Sequence, residues 1–80
     1  MNRQEIEEKL KGIIANKLGV DEVEILQNSD LDNDLGADSF DKVEIIMDTE
    51  SAFAISIPDE EADRVVTFKH LVDLVEKKIK

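Results

Sequence analysis

The sequence predicts an all-α fold: a small four-helix bundle, three main helices plus one short helix, with a long loop between the first and second. Two observations carry this. Apolar residues recur at helical spacings in three separate stretches, and cap and breaker residues stand at their ends. Eighty residues suffice for one core only.

Each element follows in order. Ile6, Leu10, Ile13, Ile14 and Leu18 form one stripe among Glu and Lys, and Gly19 is a natural stop, so the first helix is expected at about residues 3–18. Residues 20–38 lack periodicity and are rich in Asn and Asp. A loop of that length suits a crossover in a bundle, with Val20, Val23, Ile25, Leu31 and Leu35 expected to pin it to the core. Asp38 is a good N-cap for a second helix, from about Ser39 to Phe53, and Asp41 adds favourable charge in its first turn. Ile55 and Ile57 lead into Pro58, the only proline, where a short helix is expected with Asp59, Glu60 and Glu61 at its positive end. Thr67 is expected to cap the last helix, striped by Phe68, Leu71, Val72, Val75 and Ile79, with Lys77, Lys78 and Lys80 at its negative end.

Charge and composition narrow the function. The chain has 41% hydrophobic, 38% charged and 4% aromatic residues and a net charge of −10. From Asp30 to Asp63 there are 12 acidic residues and one basic residue, Lys42, which gives −11; the remaining 8 acidic and 9 basic residues give +1. Nucleic acids and anionic membranes are disfavoured as partners, and proteins with basic patches are favoured. The absence of Cys excludes disulfides and thiol chemistry. The charged first residues do not resemble a signal peptide, and no apolar run matches a membrane span, so a cytoplasmic location without stable membrane insertion is expected.

The second helix carries two apolar stripes. At 100° per residue, Phe40, Val43 and Met47 lie together, and Ile45, Ile46, Thr49 and Phe53 lie roughly opposite. A single small core accepts one of them. The second set is assigned inward, which leaves Phe40, Val43 and Met47 for a partner, with Glu44 among them and Asp41 and Asp48 beside them.

Ser39 is the residue of chemical interest. The only histidine is His70, in the last helix, and no Gly-x-Ser-x-Gly elbow surrounds the serine, so self-contained serine catalysis is not expected. A serine at a helix start is usually a cap, but it also suits attachment of a phosphate ester, which the helix dipole favours. Asp30, Asp32 and Asp34 match the first ligands of a calcium EF-hand loop, yet Leu35 stands where that loop requires Gly and Asp41 where it requires Glu, so no metal site is expected. His70 reads as a surface helix residue.

The run Leu35-Gly36-Ala37-Asp38-Ser39 resembles the attachment motif of acyl carrier proteins. The similarity continues through Asp41, Val43, Glu44, Ile45, Ile46, Met47, Glu50 and Phe53, and through Ile55, Ile57, Pro58, Asp59, Glu60 and Ala62, to Thr67 and the last helix. Phe40 and Thr49 depart from it, each standing where the family usually has Leu. The resemblance implies one acyl carrier domain over residues 1–80. It implies 4′-phosphopantetheine attached covalently at Ser39, beside Asp38, and acyl groups held on it as thioesters, with no catalysis by the chain itself. The implied partners are a phosphopantetheinyl transferase (holo synthase) and acyl-transfer and chain-elongation enzymes with basic surfaces, meeting a monomer. Ile45, Ile46, Thr49, Ile57 and Val72 are the expected acyl-chain lining. The pathway is fatty acid synthesis or a related one; a specialised pathway, polyketide or aminoacyl, and a structural subunit of a larger assembly stand as alternatives.

Overall fold

A computed structural model describes residues 1–79 and shows four helices: α1 (Arg3–Leu18), α2 (Ser39–Phe53), the short α3 (Asp59–Ala62) and α4 (Phe68–Ile79). Among the described residues there is no strand; Asp30 and Thr67 form an isolated antiparallel bridge. The expected elements are all present. Lys80 lies outside the described residues.

Local chemistry sets the helix ends. Asn2 caps α1 in a reciprocal box with Glu5: the Asn2 side chain accepts from the Glu5 N–H at 2.9 Å, and Glu5 accepts from the Asn2 N–H at 3.1 Å. Gly19, at φ 71°, ends α1 in the left-handed region, where it lacks the Cβ that penalises other residues. Thr67 caps α4, accepting from the His70 N–H at 3.2 Å. His70 is exposed, and its Nδ1 accepts from the backbone of Val66 and Thr67, so the ring completes that cap.

The core is one cluster. Ile6, Leu10 and Ile14 of α1 meet Ile45 and Ile46 of α2 and Phe68, Leu71, Val72 and Val75 of α4. Ile25, Leu31 and Leu35 anchor the long loop in it, and Val20 packs at its edge. Val23 does not anchor: it is 83% exposed, because a 3-10 turn at Glu22–Glu24 takes Ile25 inward and leaves Val23 on the outer side. Thr49 is fully buried, and its Oγ1 donates to the Ile45 carbonyl at 2.7 Å, which satisfies the hydroxyl on its own helix. Ion pairs clip the helices together outside the core. Arg3 of α1 reaches Asp73 and Glu76 of α4 at 2.8 and 3.2 Å. Lys78 of α4 lies 2.6 Å from Glu61 of α3.

Candidate attachment site at the start of helix α2

The loop before α2 is built to fix where that helix begins. Asp30 accepts from the N–H groups of Asp32 and Asn33, both at 2.9 Å, and Asp34 accepts from the Asp30 N–H at 2.7 Å. The Asn33 N–H is the main influence holding the Asp30 carboxyl below the usual carboxylate range, with the Asp32 N–H and Lys42 acting in the same direction. Two of the three acids of the EF-hand-like run are thus committed to the loop's own amides. Among the described residues no three His, Asp or Glu side chains converge in a way that would hold a metal ion. Gly36 then turns the chain at φ 79°, and fully buried Ala37 donates its N–H to Leu31 O at 2.8 Å.

Asp38 is the N-cap. Its Oδ1 accepts from the Asp41 N–H at 2.8 Å, and Asp41 Oδ2 accepts from the Asp38 N–H at 3.2 Å. Asp41, read from sequence as part of a charged rim, is therefore also half of the capping box. Ser39 is the first residue inside the helix. It is exposed, and the capping duty falls on its neighbour, which leaves the Ser39 hydroxyl without a structural task.

Ser39 stands on the edge of a cleft of about 260 Å³ between α2 and α3. Val43, Ile46, Met47, Ile57 and Ala62 give it an apolar lining; Lys42, Glu50, Asp59 and Asp63 supply polar groups. Two hydrogen bonds fix its frame. Glu50 Oε2 accepts from the Ile57 N–H at 2.7 Å, and Lys42 Nζ donates to Val65 O at 2.8 Å. Of the residues expected to line an acyl site, Ile46 and Ile57 are here. Ile45, Thr49 and Val72 sit in the closed core, at 1%, 0% and 0% exposure, and do not face the cleft. They point inward for the packing reason given by the helix stripe, but the opening forms at the α2–α3 edge, where the short helix leaves the gap. Lys42, Glu50, Asp59, Ala62 and Asp63 were not singled out as cleft residues from sequence. The signal for Lys42 was there: it lies three residues after Ser39, on the same side of the helix, and is the only cation among twelve acids.

The outer face of α2 exposes Phe40, Val43 and Met47 at 70%, 55% and 59%. Glu44 and Asp48 lie 3.8 and 3.4 Å from Lys17 of α1, so these two acids are partly partnered within the chain. Phe53 is half-buried, with Lys9 Nζ 5.7 Å from its ring centroid. No described helix is long and apolar enough to cross a membrane.

Comparison with known proteins bears on this site. Residues 8–75 match the family model described as a phosphopantetheine attachment site. The chain is similar to acyl carrier proteins from Guillardia theta, 44% identical over 99% of this chain and 98% of that one, and from Rubrobacter xylanophilus, 48% identical over 94% and 93%. Another from Thermotoga maritima is 42% identical over 98% of this chain and 96% of its own. A match that spans all of α2, α3 and their cleft, joined to similarity over nearly the full length, places the chain in the acyl carrier protein family, whose members carry a phosphopantetheine attachment site.

Proposed function

We propose that this chain carries acyl groups on a 4′-phosphopantetheine arm joined through a phosphodiester to Ser39 Oγ, and presents them to the enzymes of fatty acid synthesis or a related pathway. The observation that carries the reading is the exposed Ser39 hydroxyl, released from capping by Asp38, at the rim of an apolar cleft. The residues present fit the group: a nucleophilic oxygen open to a transferase, a helix start that favours phosphate, and apolar walls beside it. When bound, the arm supplies the thiol that holds an acyl group as a thioester.

The chain's own residues do the rest. Asp38 and Asp41 fix the direction of α2 and so of the attachment point. Ile46 and Ile57 offer apolar surface to an alkyl chain, at about 0.8 kcal/mol for each CH₂ taken from water; Ile45, Thr49 and Val72 join the lining only if the core behind them opens. Phe40, Val43 and Met47 form the partner surface, with Asp41, Glu44 and Asp48 as its charged rim. The partners on this reading are a phosphopantetheinyl transferase and acyl-handling enzymes with basic surfaces, and the chain acts in the cytoplasm as a monomer that catalyses no reaction.

The test is direct. Wild type and Ser39→Ala are incubated with coenzyme A and a broad-specificity phosphopantetheinyl transferase, and their intact masses are compared. An adduct on the wild type alone is expected. No adduct on either protein, or equal adducts on both, rejects the assignment.

A further inference from the structure

Lys42 is unusual in its surroundings. It is the only cation between Asp30 and Asp63, a stretch with 12 carboxylates. Arg3, Lys17, Lys69 and Lys78 each pair with a carboxylate within 4 Å. Lys42, like Lys9, Lys11, Arg64 and Lys77, has no such pair among the described residues; it differs from them in standing alone among twelve carboxylates. Its ammonium instead donates to the backbone carbonyl of Val65 at 2.8 Å, across the end of the cleft that Ser39 also lines. An ammonium has three N–H donors, and this bond uses one. Lys42 follows Ser39 by three positions on α2, the spacing that makes side chains neighbours on a helix surface.

This arrangement leaves a half-buried cation, held in place from one side, on the same cleft and the same side of α2 as the serine on which a phosphodiester is proposed to form. A phosphodiester adds one negative charge to a region that already carries −11, and the nearest carboxylates repel it. The helix start supplies partial positive charge, and Lys42 supplies the only full one. We infer that Lys42 is the positioning residue for the arm: it pairs with the phosphodiester at Ser39 and, because Val65 O anchors it at the cleft, turns the arm toward the α2–α3 opening. This rests on the attachment reading above and adds to it the group that orients the arm.

A purely structural tie between Lys42 and Val65 makes a different prediction, which permits a test. Apo and loaded forms of wild type, Lys42→Met and Lys42→Arg are prepared, intact mass confirms loading at Ser39, and each form is unfolded with urea. Lys42→Met loses the Val65 bond in both forms alike. If Lys42 pairs with the phosphodiester, loading also raises the unfolding equilibrium constant of Lys42→Met relative to wild type by about 3-fold, the size expected of a partly exposed ion pair. Lys42→Arg restores the wild-type response, and 0.5 M salt (on the order of a 4 Å screening length) reduces the difference toward zero. Equal responses to loading in wild type and Lys42→Met overturn the inference and leave Lys42 as a tie to Val65 only. Failure of the wild type to load overturns the attachment reading itself. A second measurement needs no variant: the side-chain 15Nζ resonance of Lys42 in the wild type shifts on loading if the pair forms, and an unmoved resonance overturns it.

Discussion

At the scale of single residues, most of the polar chemistry of this chain serves the backbone. Asp38, Asp41, Asp30 and Asp34 hold amides in place, and Ser39, between the two capping acids, is left exposed. Asp30 gives a pH prediction. Its folded carboxyl lies below its unfolded value because the ionised form accepts backbone N–H groups, so its contribution to stability is present above about pH 4 and is lost as the pH falls through the lower folded value. Wild type should therefore exceed Asp30→Ala in stability near pH 6, with the gap narrowing below pH 4. Denaturant titrations of both proteins across that range check it, and a gap that widens in acid contradicts it. Asp73 behaves differently: burial pushes its carboxyl up, and hydrogen bonds and charge from Arg3 and Lys69 more than reverse this, leaving it below the usual range. The Asp38 cap is legible in the sequence because it depends on a neighbour three residues away, whereas the attachment role of Ser39 is what the family resemblance implies. The bonds from Lys42 to Val65 and from Ile57 to Glu50 span 23 and 7 residues, and no local pattern announces contacts made only after the chain has folded back.

At the scale of elements, α2 is the instructive helix, because its two apolar stripes have different fates. Ile46 is buried at 8% exposure and Met47, the next residue and about 100° further round the same helix, is exposed at 59%. Ile46→Ala should cost about 2–5 kcal/mol by leaving a cavity, whereas Met47→Ala should change stability by no more than about 0.5 kcal/mol. Urea denaturation of the two variants separates these outcomes, and equal losses would falsify the division of faces. The stripes were readable because a 3.6-residue period is a property of sequence. Which one turned inward was decided by continuity with Phe53 and the Ile55–Ile57 run, an argument from chain direction. The loop was harder. Val23 looks like an anchor by composition, yet the 3-10 turn at Glu22–Glu24 sends it outward, and such a turn needs only three residues and leaves no period to read.

At the scale of the whole molecule, the cations of α1 and α4 act as clips. Arg3 and Lys78 fasten α4 to α1 and α3, and Lys17 reaches from α1 to α2. They cannot neutralise the acidic middle of the chain, which repels itself at −11. Added salt screens repulsion over lengths beyond about 8 Å more than it weakens these short contacts, so the melting temperature should rise between low salt and physiological ionic strength. Thermal melts over a salt series check this; a flat or falling series means the clips dominate. The four-helix architecture was legible from sequence as a whole, because apolar stripes mark the three long helices and Pro58 with its three following acids marks the short one. The cleft was not, because it is the space left by a four-residue helix, and spaces have no sequence of their own.

That short helix has a thermal consequence. Between buried Ile57 and Val65, α3 and its flanks bury no residue fully, and Ala62 is the only apolar side chain on the helix. Apart from Ala62, which packs at the edge of the core, what ties this segment down is polar: Glu50 to the Ile57 N–H, Lys42 to Val65 O, and Lys78 to Glu61. Heat capacity changes arise from hydrating hydrocarbon, and lifting α3 hydrates little of it. Displacing the outer wall of the cleft would therefore carry a cost that barely curves with temperature, while the core beneath it follows the domed stability curve of an ordinary hydrophobic fold. Cooling or warming the protein changes how firmly the bundle holds together far more than how readily the cleft beside Ser39 opens.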